Sequence, residues 1–322
     1  MKRTPLPPPT PAAPRLCAPP LAAPPLGHRA RRLRLCWRRW SRYVGLAALL
    51  LLSACGVSEP PGLAHARDFA LVIPIYNDAG LAHARSTLRP HIGRSDAFMI
   101  VSGNNEGEAN VAWLNRAGGF LRDTYPEARL FAATSGLENV ARVAAGLSEL
   151  FEGVVYVYEP NFPNQPEFSW EFAATLEQFA AAAEKVRAAG FRMVGKPTGR
   201  PILQANLQRY SWNYGELAKT ADELFIQTQT YCRDSVRTFS RALDTVIAQY
   251  GPLGDTLRWV PQVTVDPEAP NGTSVAQARA CVRAAQARGL PGATLWWSPT
   301  YAARAVDFLE ALNADAAALP AR

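Results

Sequence analysis

Histidine is nearly missing from this chain of 322 residues: there are four, and no pair stands at a metal-ligand spacing. Cysteine is also scarce, five in all. That is too few for the dense disulfide framework of a small secreted scaffold, and with so little histidine it leaves no set for a structural zinc site. Two catalytic signatures are absent: no Gly-x-x-x-x-Gly-Lys is followed by Ser or Thr, and no Gly-x-Ser-x-Gly elbow occurs. No motif asks for a metal or a cofactor, and none is expected. Nor is there an apolar run of about 20 residues, the length a membrane-spanning helix needs. Acidic residues are wholly absent from the first 55 positions, which hold ten of the 34 Lys and Arg. The formal charge of +7 therefore belongs to one segment, and the remainder carries 24 basic residues against 27 acidic ones. A chain so divided does not present the basic surface that nucleic acid requires, and nucleic acid is excluded as a partner.

What the first segment does contain is informative. Residues 1–37 are rich in Pro, Ala and Arg and cannot build a core. Arg38, Arg39 and Arg42 then precede a short apolar stretch, Tyr43 to Ala54, which ends in Leu52-Ser53-Ala54-Cys55-Gly56. Charge, short apolar run and small residues in that order make a secretory signal. The final residues resemble the bacterial lipoprotein signal, which implies lipidation at Cys55, export, and a membrane partner reached through the acyl chains. Gly56 carries no retention charge, which favours the outer membrane. The expected organisation is a disordered extension and signal over 1–55, a linker over 56–67 and a single domain over 68–316. In an oxidising compartment Cys232 and Cys281 could pair, and the sequence leaves that open.

From Phe69 on, apolar strands alternate with amphipathic helices. The strands are expected at Phe69–Tyr76, Ala97–Val101, Ala128–Thr134, Val154–Tyr158, Phe191–Val194, Glu223–Gln229, Leu257–Thr264 and Ala293–Trp297. The clearest helix covers Ser169–Ala189, where Phe172, Leu176, Phe179, Ala183 and Val186 recur at helical spacing. Others are expected at Ala109–Thr124, Leu137–Phe151, Ile202–Ala218, Ser235–Tyr250, Val275–Arg288 and Ala302–Leu312. Eight strand–helix units predict an α/β fold, a (β/α)8 TIM barrel. A doubly wound open sheet is the alternative, but Ile75-Tyr-Asn-Asp-Ala-Gly80 does not make its phosphate turn. Pro74 and Pro261 fall within strands and are expected at bulges or strand ends near the rim.

Active sites of such barrels lie at the C-terminal ends of the strands. Those positions hold Tyr76, Asp78, Asn104, Glu106, Glu159, Lys196, Gln227, Gln229, Tyr231, Asp266 and Trp297. Residues two apart on a strand share a face, so polar residues repeated on one face of an apolar strand point to a wet mouth. Glu159 follows a strongly apolar strand. In that setting its carboxyl pKa rises, as a general acid needs; the competing role is an ion pair with Lys196 or Arg200. Glycoside cleavage needs a second carboxylate, and Asp266, Asp78 and Glu106 are the candidates. Tyr76, Trp297, Tyr231, Asn104, Lys196, Gln227 and Gln229 supply the aromatic and hydrogen-bonding surface that a polysaccharide or oligosaccharide requires. Only one of Trp296 and Trp297 can face inward. Lys196 is also placed as a strand-end Schiff-base lysine would be.

Tyr158-Glu159-Pro160 resembles the Asn-Glu-Pro of the large clan of TIM-barrel glycoside hydrolases. The resemblance implies an acid/base role for Glu159 and a sugar platform at Trp297. Ile73-Pro-Ile-Tyr76, with Glu159 later, is similar to spherulin-4-like glycosidases. In this chain Tyr158 replaces the residue that precedes the Glu, and Thr264-Val265-Asp266 stands where the clan has its nucleophile. Val155 and Val157 occupy the acidic positions of the Asp-x-Asp-x-Glu pattern of chitinase-like barrels. The expectation is a lipid-anchored glycoside hydrolase-like barrel; the alternative is an envelope lipoprotein that binds glycan, or a partner in envelope assembly, without cleaving it.

Overall fold

The computed structural model describes residues 69–103, 107–160, 162–250, 258–268 and 272–318. The expected signal, Cys55 and the linker lie outside the described residues, as do Asn104 and Glu106.

Eight parallel strands form a closed barrel in sequence order: β1 Ala70–Ile75, β2 Ala97–Val101, β3 Arg129–Ser135, β4 Gly153–Tyr158, β5 Arg192–Pro197, β6 Glu223–Ile226, β7 Arg258–Thr264 and β8 Gly292–Trp296. β8 pairs with β1 through Ala70↔Gly292 to Val72↔Thr294, which closes the sheet. The architecture is the expected (β/α)8 barrel. One strand face fills the interior with apolar side chains, among them Val72, Met99, Phe131, Val155, Val157 and Val260. The other face packs on the helices, and the two faces bury separate clusters. Burial on both sides explains why the strands read as nearly unbroken apolar runs.

The helices are α1 Asp78–Arg85, α2 Val111–Thr124, α3 Leu137–Gly146, α4 Phe172–Ala188, α5 Tyr214–Ala218, α6 Gln229–Asp234, α7 Val236–Tyr250, α8 Val275–Gln286 and α9 Ala302–Ala317. Asn77, Asn110 and Asn213 cap α1, α2 and α5 by accepting from the backbone N–H groups of Gly80, Trp113 and Glu216. α4 lies close on β5 at Gly195, where a Cβ would sit 2.6 Å from both Phe179 and Leu224.

Three expectations are corrected. The helix expected over Ile202–Ala218 is instead two 3-10 turns, Arg200–Ile202 and Gln208–Tyr210, followed by the short α5. Ser211 there adopts φ 53° and Asn213 becomes a cap, so polar side chains in this stretch compete for the backbone. The sixth strand ends at Ile226, and Gln229 opens α6. Of the two prolines, Pro74 stands one residue from the end of β1, as one alternative expected, in continuous register opposite Met99, whereas Pro261 neither bulges nor ends its strand. Pro261 keeps register opposite Ile226, the last residue of β6.

Cys232 in α6 is bonded to Cys281 in α8, with Cα atoms 6.0 Å apart and a sequence separation of 49. At the opposite, N-terminal end, Arg129 donates to Glu152 at 2.7 Å and to Glu223 at 2.9 Å, and Arg192 donates to Glu152. Burial alone would raise the Glu152 carboxyl; the two guanidiniums outweigh it and hold the pKa below the usual range. This network closes the base of the barrel.

Candidate functional site

Strand phase selects what enters the mouth. On β4, Val155 and Val157 face the interior, so the next inward position is Glu159. Its backbone is held by Gln165, a buried loop side chain that accepts from Glu159 N at 3.0 Å and donates to Val157 O at 2.9 Å. Gln165 thus supplies one more rung where the ladder would otherwise end. The loop around it is fixed in turn. Glu167 accepts from Tyr156 Oη at 2.9 Å and from Leu137 N at 2.8 Å, and Tyr158 Oη accepts from Ser169 N at 2.8 Å. At Gly136, φ is 81° and a Cβ would lie 2.1 Å from Asn164 O, so only glycine lets this loop cross the start of α3.

The Glu159 carboxylate forms no hydrogen bond among the described residues. Burial raises its pKa, while Lys196 and Arg200 pull the other way. Lys196 is inward-facing on β5, opposite Val157 in register. It is buried, and its Nζ donates to Gln262 Oε1 on β7. Burial lowers its pKa to about 8 against the opposing pull of Glu159. Tyr76, at the end of β1, tilts against Trp296 with ring centroids 5.7 Å apart. Its hydroxyl pKa is pushed up by burial first, then by the nearby Glu159 and Asp266 carboxylates. Tyr76, Glu159, Lys196 and Asp266 therefore share one electrostatic neighbourhood. Asp266 is oriented by a turn in which its Oδ1 accepts from Glu268 N at 2.9 Å and its N–H donates to Thr264 Oγ1 at 3.1 Å.

Other candidates lie elsewhere. Asp78 is exposed at the start of α1, where Trp113 Nε1 and Arg116 Nη2 donate to it at 3.1 Å each; these bonds lower its pKa. Its carboxylate belongs to the α1–α2 surface. Trp297 faces outward: it is 2 % exposed and its Nε1 donates to Pro74 O at 2.9 Å. The inward tryptophan is Trp296. Tyr231 lies in α6, and its hydroxyl contacts the Gly199 and Arg200 carbonyls and accepts from Leu203 N. It fastens the loop after β5 rather than lining the mouth. Gln227 reaches back to Lys196 O at 3.4 Å, and Gln229 is buried in the first turn of α6 with Oε1 unpartnered. The expected shared face of Gln227, Gln229 and Tyr231 fails because the strand stops before them.

Sequence reasoning left open which of Trp296 and Trp297 faces inward and took Trp297, and it passed over Gln165. The choice had a signal: Thr294 is the polar residue of β8 and marks the inward phase, which Trp296 shares. Gln165 had none, because a glutamine in a loop carries no periodicity. Among the described residues no three His, Cys, Asp or Glu side chains converge as a metal site.

No protein-family model matches the sequence, and no curated relative matches it. Solved structures do resemble it. The PgaB (BpsB) glycoside hydrolase domain of Bordetella bronchiseptica superposes with a TM-score of 0.53 at 10% identity, covering 78% of this chain and 97% of that one. Active domain 2 of a thermostable chitinase from Pyrococcus furiosus gives 0.53 at 10%, covering 82% and 100%. A GH18 chitinase from Pseudoalteromonas aurantia gives 0.51 at 14%, covering 76% and 99%. At these identities the likeness is one of fold.

Proposed function

We propose that this chain is an exported, lipid-anchored barrel that acts on a polysaccharide, with Glu159 as general acid and Asp266 as the second carboxylate. One observation carries the reading: an inward, partly buried carboxylate at the end of β4 makes no hydrogen bond among the described residues, and burial raises its pKa. A structural glutamate would be paired, as Glu152 and Glu223 are at the other end of the same barrel. A carboxyl whose pKa is raised by burial, open to the mouth, can donate to a glycosidic oxygen. The opposed acidic group would activate water or attack the sugar. Tyr76 and Trp296 offer aromatic faces for sugar rings. The neighbours in fold are described as chitinases or as a glycoside hydrolase domain, which supports the substrate class. The Cys232–Cys281 bond supports export, since such bonds persist in oxidising compartments; lipidation at Cys55 rests on the sequence.

A second reading has its own observation. Val155 and Val157 are packed into the barrel interior below Glu159, so no strand acid stands beside it on β4. That favours a barrel that binds glycan without cleaving it. Reducing-end release from a polysaccharide panel separates the two. Cleavage by the full chain in detergent should fall about 10²–10⁴-fold in Glu159→Gln, the range for losing a general acid. Undiminished cleavage by the variant removes Glu159 from the chemistry. Saturable binding by both proteins without cleavage establishes the second reading.

A further inference from the structure

We propose that the glycan taken by this mouth carries a carboxylate, a uronic-acid sugar, and that Lys196 and Gln262 hold that group. The inference deepens the glycan-acting reading and rests on it.

Lys196 is the only buried Lys or Arg among the described residues, at 5% exposure, and it forms no ion pair among them. Glu159 attracts it electrostatically but does not pair with it, and a buried charge without a paired counter-ion is costly. Its one protein partner is a neutral amide. Because the ammonium has only donors, that contact fixes the amide orientation: Gln262 must turn Oε1 to Lys196 and aim Nε2 away. Nε2 then finds no acceptor, although Gln262 is only 2% exposed. Thr294, opposite Gln262 in the β7–β8 register, is 1% exposed and its hydroxyl is likewise unpartnered. Three inward side chains on β5, β7 and β8 thus leave buried donors unmet on one side of the mouth.

An excess of donors beside a cation that forms no ion pair among the described residues calls for an anionic acceptor. A carboxylate suits it, because two oxygens can accept from the ammonium and the amide together. A neutral sugar would bring hydroxyls but no charge to pair with the ammonium. An amino sugar would set a second cation against the first. Lys196 pairs in register with Val157, two residues before Glu159 on the neighbouring strand. The carboxylate would therefore bind beside the group proposed to protonate the leaving oxygen. Arg200, whose charge acts on Glu159 and which forms no ion pair among the described residues, adds positive potential on the same side.

Matched ligands test this. Calorimetric titration of the full chain in detergent would compare oligogalacturonate, oligomannuronate and oligoglucuronate with their methyl esters, with neutral cello- and chito-oligosaccharides, and with free glucuronate. The expected result is that at least one acidic oligosaccharide binds tenfold or more tightly than its own ester, and that Lys196→Met reduces the preference to less than about threefold. Gln262→Leu should reduce it less, and thermal unfolding of both variants checks that they fold. Neutral oligosaccharides that bind while no acidic one gains over its ester would overturn the proposal and leave the glycan reading standing. A preference that survives Lys196→Met overturns the assignment to Lys196. Free glucuronate that binds as tightly as every oligomer reduces the site to a small-carboxylate pocket, against the proposal. Failure of every glycan to bind overturns the glycan reading, and this proposal with it.

Discussion

At the N-terminal end of the barrel, Glu223 is 4% exposed at its side chain and sits 2.9 Å from Arg129, which also holds Glu152 at 2.7 Å. At the C-terminal end, among the described residues, the Glu159 carboxylate forms no hydrogen bond, Lys196 bonds only an amide, and Gln262 Nε2 and Thr294 Oγ1 have no partner. Both ends gather acids and bases, and β5 carries one at each, Arg192 at the base and Lys196 at the mouth. The base satisfies them and the mouth does not. A saturated polar network holds a structure in one arrangement, whereas unmet buried groups lower stability and leave capacity for a ligand. The contrast therefore divides a closure from a site without recourse to any known activity.

Substitutions that carry opposite signs at the two ends would sharpen the contrast. Arg129→Met at the base should cost about 3 kcal/mol, because Glu223 is left buried with Arg192 at 3.9 Å as its nearest ion-pair partner among those described. Urea denaturation at neutral pH would show it, and a shift near zero would mean the base is not closed by charge. Replacing Cys232 and Cys281 together by Ser should cost about 2–4 kcal/mol by freeing a long loop in the unfolded chain; thermal melts with and without reductant read this on the parent protein. At the mouth the sign reverses. Lys196→Met should stabilise by about 1–3 kcal/mol at neutral pH, since a buried unpaired charge becomes a packed side chain. The folded-state pKa is lowered to about 8 from 10.5, so the wild-type penalty is full below pH 8 and fades as the pH rises towards 10.5. A variant that melts lower at pH 7 would break the comparison. The smallest effect belongs to Glu159→Gln. The wild-type carboxyl is raised, so its contribution to stability is full below the unfolded pKa and is lost as pH climbs through the folded one. The variant should melt above the parent at pH 8 and beside it near pH 4.

The barrel itself could be read because burial on both faces left each strand as an apolar run and each helix with its own period. β2 and β4 fell within a residue of their expected ends. The stretch after β5 could not be read: its turns follow from side chains such as Asn213 bonding the backbone locally, which leaves no periodic trace. The same division holds at the site. Glu159 and Asp266 were legible as polar residues that end apolar strands. Trp297 was misread because two adjacent tryptophans carry no phase of their own, and Asp78 because a strand end was extended into a helix start. The clasp by Gln165 depends on a loop returning over β4, which is a property of the folded chain only.

The bond between Cys232 and Cys281 reaches across α7, β7 and the start of α8. Its consequence is topological. A peptide bond cut anywhere between the two cysteines opens the chain but releases nothing, because the sulfur link still joins the halves. Such a nicked molecule would migrate as one band on a non-reducing gel and as two after reduction. Where proteases act and reductant is scarce, a barrel tied in this way can be broken in its backbone between the two cysteines and keep all eight strands attached.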